Sequence, residues 1–258
     1  MFFPSPPHHG TLRRYYNHPS ASLHALPDKL RFGEGSLLEP LSVALAGINR
    51  SNLRLGDPLV IAGAGLIVLL TLLMAHAAGV APMVISGIES GRLEFAKFLV
   101  LCEKTVSIGK SQGLREVAGN HEKASLRGKA GLRVHCSRKW HPCRDLRKAY
   151  SLNNTLPINM PTMLVSQVTL FGGSMSVIGV AKETQNTPPK HRSSREIDLC
   201  FQYRYHDTCP KAISLVFEGL IGLKSLVTHR YGLEDGLAAF NAAPGLAAKA
   251  VKVQVLKD

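Results

Sequence analysis

Carboxylates are scarce in this 258-residue chain: 18 Asp and Glu stand against 31 Lys and Arg, a net charge of +13 with histidines neutral. An acid deficit of this size normally raises nucleic acid or an anionic membrane as a partner. A second scarcity argues against the first of these. Aromatic residues make up 6% of the chain, and they nearly vanish where the positive charge concentrates. Residues 101–150 hold 12 Lys and Arg and four Asp and Glu, with only Trp140 and Tyr150 as aromatics. Bases stack on aromatic platforms, and no run of them is present. The expectation is no nucleic-acid partner; the basic stretch reads as a solvated or disordered insert.

A disulfide framework is also lacking. Cysteines stand at 102, 136, 143, 200 and 209, an odd number at irregular spacing. That pattern fits a reducing, cytoplasmic compartment. The opening MFFPSPPHHG has no basic segment leading into an apolar one, so a signal peptide is not expected. A long apolar run is almost present at Leu59–Ala75. Gly63 and Gly65 interrupt it, Gly79 to Pro82 close it, and Arg54 and Asp57 precede it. A buried strand followed by a buried helix needs the same apolarity, so no membrane span is expected. Hydrophobic residues at 45% are enough for a real core, in one large domain or two modest ones.

What is there centres on residues 56–92, GDPLVIAGAGLIVLLTLLMAHAAGVAPMVISGIESGR. This reads as strand, glycine turn, apolar helix and second strand, the first half of a dinucleotide-binding unit. Gly63 allows the tight turn, and Gly65 lets the backbone approach a pyrophosphate seated on the helix N-terminus. Two features of the fingerprint are missing. Val68 stands where a third glycine permits close helix–strand contact. Ser86-Gly87 stands where an acidic residue would accept hydrogen bonds from the adenosine ribose. Glu89, two positions late, is the nearest carboxylate. Losing one such charge-assisted hydrogen bond costs about 1.5–3 kcal/mol, roughly tenfold to a hundredfold in affinity. A strand–helix turn with no ligand is the competing reading of the same residues.

The rest of the chain alternates strands with helices. Helices are expected over Ser36–Asn49, Leu66–Ala78, Ile88–Leu101, Pro210–Leu223 and Leu233–Ala243. Strands are expected at Leu59–Ala62, Pro82–Ser86, within 171–180, at Glu196–Tyr205 and at Ala250–Leu256. This order predicts an α/β fold with a largely parallel sheet. Residues 102–165 carry little periodicity. His135, Cys136, His141 and Cys143 are four possible metal ligands there, but their spacing matches no common zinc site. With permitted codons, Arg133 to Arg147 read one base later gives ECTAAGSGIHAATY, which motivates a frameshift or faulty gene model across about residues 120–150.

Six segments in register carry a resemblance. They are HGTLRRYYNHP (9–19), LLEPLSVALAGINRSNLRLGDPLVIAGAG (37–65), ESGRLEFAK (89–97), FGGSMSVIGV (171–180), REIDLCFQYRY (195–205) and SLVTHRYGLEDGLAAF (225–240). Together they resemble the zinc-dependent medium-chain polyol dehydrogenases, and within them the fungal L-arabinitol 4-dehydrogenases. The ECTAAGSG reading of the middle is similar to the same family.

The resemblance implies a Rossmann-like NAD-binding domain at 39–215, irregular over 102–165. It implies a remnant of a GroES-like catalytic domain at 1–38, and a last Rossmann helix and return to that domain at 216–258. It implies hydride transfer from a pentitol to NAD, with zinc polarising the alcohol oxygen. Glu39 matches the carboxylate beside the family's zinc. Arg204 and Tyr205 match positions touching the zinc-bound water or substrate. Gly63, Gly65, Ile67 and Arg92 match cofactor positions. Read without the resemblance, Glu39 is a carboxylate favoured by a helix dipole.

The family's remaining zinc ligands lie upstream of the segment that HGTLRRYYNHP resembles, and its four-cysteine lobe has no counterpart here. The expectation is therefore a truncated form with a weakened NAD site, no catalytic zinc and weak or absent activity. The alternative is a non-enzymatic Rossmann fragment that pairs with an intact dehydrogenase subunit; a homo-oligomer is the other assembly expected.

Overall fold

A computed structural model describes residues 10–100, 104–107, 148–152, 169, 171–179, 189–243 and 250–256. The histidine–cysteine group at 135–143 and the frame-shifted reading of 120–150 lie outside these residues. The helices are α1 (Phe32–Gly35), α2 (Leu38–Arg50), α3 (Leu66–Ala77), α4 (Ser90–Val100), α5 (Pro189–Ser193), α6 (Cys209–Phe217) and α7 (Gly236–Ala242). The strands are β1 (Leu59–Ala62), β2 (Met83–Gly87), β3 (Lys104–Ser107), β4 (Lys148–Leu152), β5 (Ser174–Ile178), β6 (Asp198–Gln202), β7 (Val227–Gly232) and β8 (Lys252–Leu256). The chain divides into two compact units, one of residues 1–38 with 213–258 and one of residues 39–212.

Among the described residues, the 39–212 unit is built on one six-stranded sheet in the order β3-β2-β1-β4-β5-β6. Every neighbouring pair is parallel. This is the strand order of a doubly wound dinucleotide-binding sheet, the fold expected from the alternating pattern. Parallel strands are covered on both faces, and β1 and β2 obey that demand. All four residues of β1 and all five of β2 are buried. Val60, Ala62, Val84, Val106, Met175, Val177 and Ile197 form one continuous core cluster.

Helix α3 follows β1 with its Val68–Leu72 stretch, Met74 and Ala75 all buried. A helix apolar on every side belongs inside a protein. Its one buried hydroxyl, on Thr71, donates to the Ile67 carbonyl at 2.8 Å, so the apolar environment leaves that donor satisfied. Among the described residues, no helix is long and apolar enough to cross a membrane.

Two elements are shorter than the sequence pattern suggests. The helix expected to reach Leu223 ends at Phe217, because Gly219 takes φ +77° and the Leu220 N–H turns back to the Leu215 carbonyl at 3.0 Å. Glycine at that position ends a helix without steric cost. The strand expected from Glu196 starts at Asp198, since Glu196 sits at φ +53°.

The other unit carries a two-stranded parallel sheet of β7 and β8 with α7 between them in sequence. A parallel pair needs such a crossover. Gln254 on β8 is buried, and its Nε2 donates to the Gly33 carbonyl at 2.7 Å and to Ser36 Oγ at 2.5 Å. Those bonds tie β8 to α1 within this unit. An ion pair of Arg14 with Glu234 lies on its surface.

The central strand carries the sheet's stability. Ile61 is fully buried in β1, so Ile61→Ala is expected to cost about 2–5 kcal/mol through lost transfer energy and a cavity. Urea denaturation followed by far-UV circular dichroism measures this; a cost under about 1 kcal/mol would place β1 outside a packed core.

Candidate functional site

The glycine turn leaves the carboxyl end of β1 at the centre of the sheet. Gly63 takes φ +115°, a conformation that side-chain-bearing residues rarely adopt. Its N–H donates to the Ser86 carbonyl of β2 at 2.7 Å. That bond extends the parallel pairing one residue past the strand and fixes where the turn begins. Gly65 then stands at the N-cap of α3 with extended backbone. A Cβ placed on Gly65 would meet nothing within 4 Å. The space beside the turn is open at Gly65.

The first backbone bond of α3 is Leu69 N–H to the Gly65 carbonyl, at 3.0 Å. The N–H groups of Leu66, Ile67 and Val68 therefore have no intrahelical acceptor and point out of the helix end. With the helix dipole they form a site of positive potential suited to a phosphate. An open cradle, a backbone free of Cβ and outward N–H groups fit a pyrophosphate. Ile67 is half-buried at the first turn, and Val68 is turned into the core, 4% exposed.

Position 87 closes the neighbouring wall. A Cβ on Gly87 would lie 3.3 Å from the Ala64 Cβ and 3.4 Å from Leu93 Cδ2. Residue 87 thus faces the middle of the glycine turn and the first turn of α4. There Arg92 Nε pairs with Glu89 Oε2 at 3.2 Å, both side chains mostly buried. The structure accordingly brings the glycine turn, residue 87 and the first turn of α4 together at the carboxyl ends of β1 and β2, and Arg92 stands on that turn of α4.

A second group forms around Tyr205 in the same unit. Its phenol is held above the ordinary 10.0, first by burial, then by the negative charge of Glu39 and by Cys209; Arg204 opposes them. Glu39 from α2 and Arg204 and Tyr205 from the loop after β6 are therefore within electrostatic reach of one another. The Arg204 guanidinium lies 5.4 Å from the centre of the Tyr203 ring. The Gln202 side-chain amide donates to the Arg204 carbonyl and fixes the loop's start. Its end is fixed by Thr208, a buried residue whose hydroxyl donates to the Ser42 carbonyl at 3.0 Å. Ser42 is one helical turn after Glu39, so this bond holds the loop against the helix that carries the carboxylate.

Sequence reasoning did not single out Thr208 or Cys209. The available signal was local: Thr208 immediately precedes an apolar helical pattern, the position where hydroxyl residues often act as caps. Its partner is 166 residues away, and no local pattern shows that.

Among the described residues, no three of His, Cys, Asp and Glu come together in a way that could hold a metal. The donors at Tyr205 are one carboxylate and one thiol, too few for a tetrahedral zinc site.

No family model matches the chain. Over 262 residues it is 43% identical to the L-arabinitol 4-dehydrogenase of Aspergillus niger, an alignment covering 100% of this chain and 64% of that protein. Over 243 residues it is 32% identical to the sorbitol dehydrogenase of Mus musculus, covering 94% of this chain and 62% of that one. The zinc dependent alcohol dehydrogenase 2 from Streptococcus pneumonia superposes with a TM-score of 0.79 at 19% identity, over 96% of this chain and 66% of that one. At that identity the likeness shows the fold alone. The chain spans a little under two thirds of the length of the curated relatives it matches.

The Tyr205 group gives a pH-dependent signal. Glu39→Gln removes a negative charge, so the phenolate is less opposed and Tyr205 titrates lower. Burial, the larger cause, remains, so the midpoint stays above the ordinary range. Because the folded value is raised, the contribution to stability is full below the unfolded tyrosine's range and is lost as pH climbs through the folded one. NMR of chain labelled at the tyrosine ζ carbon, with Tyr205→Phe to assign the resonance, measures the shift. An unmoved midpoint in Glu39→Gln would show that the two groups do not interact.

Proposed function

We infer from its 43% identity to an L-arabinitol 4-dehydrogenase that the chain is of the medium-chain polyol dehydrogenase family, and we propose that its 39–212 unit binds NAD at the turn after β1. The observation that carries this reading is the glycine turn. Gly63 at φ +115° and the open face of Gly65 stand at the carboxyl end of the central strand of a 3-2-1-4-5-6 sheet. Ligands bind such sheets in the crevice outside the carboxyl ends of the strands, where the strand order reverses. Gly65 and the N–H groups of Leu66 and Ile67 would hold the pyrophosphate. Arg92 lines the adenosine side. When bound, the dinucleotide supplies the hydride acceptor.

The reaction class is oxidation of a polyol to a ketose. Oxidation of the alcohol would be balanced by transfer of its C–H hydride to that acceptor and loss of the hydroxyl proton to a base or solvent. The relatives named L-arabinitol 4-dehydrogenase favour a pentitol substrate. Arg204 and Tyr205 would contact its hydroxyls, with Tyr205 kept neutral and able to donate a hydrogen bond. Glu39 lies within electrostatic reach of Tyr205 and, after burial, is the next cause of its raised pKa. The described donors do not fit a catalytic zinc, and no step is assigned to one. With Glu39 as the one family zinc position among those described, the chain alone is proposed to bind the dinucleotide and to oxidise polyols weakly or not at all. Cys200 and Cys209, unpaired, suit a reducing cytoplasmic setting.

Titration with NADH, read by nicotinamide fluorescence, tests the binding reading. Saturable enhancement is expected, and Gly65→Val should weaken it by about tenfold or more by filling the cradle, a loss of about 1.4 kcal/mol or more. Absence of saturable binding would remove the reading. Polyol-dependent NADH formation near the rate of a full-length relative would overturn the proposal of weak activity.

A second reading concerns assembly. Among the described residues strand β6 is the last of the sheet, and its Leu199 and Phe201 are exposed. An exposed apolar edge is a template for another strand. Pairing there with a second copy, or with an intact dehydrogenase subunit, is the proposed use. Light scattering should report an assembly larger than one chain, and Phe201→Lys should reduce it to one chain. A wild-type protein that is monomeric and does not co-purify with a full-length relative would refute this.

A further inference from the structure

The adenosine side of the glycine turn departs from an NAD-selective site in a way that changes its ligand. In such a site a carboxylate after the second strand accepts hydrogen bonds from the ribose hydroxyls and repels a phosphate at the 2′ position. Here residue 87 is glycine. The direction in which its side chain would extend runs toward Ala64, in the middle of the turn, and toward Leu93. The group that would exclude a 2′-phosphate is therefore missing from the wall that faces the turn.

The neighbouring carboxylate does not replace it. Glu89 lies at the start of α4 and is engaged by Arg92 at 3.2 Å, with both side chains mostly buried. The pair is neutral as a unit, so among the described residues this wall presents no uncompensated negative charge. Arg92 also brings a guanidinium, whose fork of donors suits phosphate oxygens. A dianionic 2′-phosphate thus loses its main opponent and meets a pair with no net charge. NAD loses its ribose acceptor and gains nothing.

We propose that the adenosine-ribose subsite formed by Gly87, Arg92 and the Ala64 turn does not discriminate against a 2′-phosphate, so that the chain takes NADP as readily as NAD. The inference rests on the dinucleotide reading of the Gly63–Gly65 turn and names which dinucleotides that turn accepts. Gly87 is the specificity-determining position.

Isothermal titration of the full chain with NAD and with NADP, at one ionic strength, tests it. The two dissociation constants are expected within about threefold of each other. Gly87→Asp is expected to separate them by about tenfold or more in favour of NAD. Because a Cβ at position 87 comes close to Ala64, the same comparison is made on the unmodified chain with the fragments 5′-AMP and 2′,5′-ADP. Binding of NADP or of 2′,5′-ADP tenfold or more weaker than its unphosphorylated counterpart overturns the inference and leaves the dinucleotide reading standing. Equal retention of NADP by Gly65→Val would mark simple attraction to a chain of charge +13 and would also overturn it. No saturable heat with any of the four ligands overturns the dinucleotide reading, and the inference falls with it.

Discussion

The turn that defines the candidate site depends on β1 being buried on both faces. A parallel strand at the centre of a sheet has helices above and below it, so Leu59, Val60, Ile61 and Ala62 must all be apolar, and all four are buried. That burial leaves the chain one exit, at the carboxyl end of the strand. The exit must reverse direction at once if α3 is to lie back over the sheet. Gly63 makes the reversal at φ +115°, and its N–H caps the pairing with β2. The open cradle at Gly65 follows from this geometry. The site is thus a consequence of how an all-apolar strand leaves a closed core, and its position is as rigid as that core.

The Tyr205 group is held differently. Its members come from a helix start and a loop, and the loop is pinned at its far end by the Thr208 hydroxyl on the Ser42 carbonyl. A single buried hydrogen bond contributes about 0.5–1.5 kcal/mol net, and leaving a buried acceptor unmet costs about 1–3 kcal/mol. The relation of Glu39 to Tyr205 therefore rests on a few polar contacts, whereas the glycine turn rests on a whole strand.

That difference also explains what the sequence made legible. β1 was readable to the residue, and α3 and β2 nearly so, because burial on both faces writes itself as an unbroken apolar run bounded by glycine. Helix α6 was overextended because its apolar pattern continues through Ile221 and Leu223, both buried, and only the backbone at Gly219 shows that the helix has stopped. Strand β7, VTHRYG, was missed: its burial alternates between intermediate and exposed, and His229 and Arg230 obscure the apolar half of the pattern. The Thr208–Ser42 bond could not be read at all, since it joins residues far apart in sequence. The resemblance supplied Glu39, Arg204 and Tyr205 as positions; their electrostatic coupling came from the fold.

The two departures from the dinucleotide fingerprint looked alike in the sequence and are physically different. Val68 replaces a glycine whose purpose is close packing, and in the structure it is turned into the core at 4% exposure. A branched side chain there is accommodated as packing, and it does not obstruct the cradle at Gly65. Gly87 replaces a charged group whose purpose is to touch the ligand. Among the described residues nothing nearby supplies that charge, because Glu89 is already committed to Arg92. A change of packing can be absorbed by neighbours that shift by tenths of an ångström, whereas the loss of a ligand-facing carboxylate cannot. The first departure leaves the site's shape intact. The second alters its electrostatics, and with them which dinucleotide the same shape can hold.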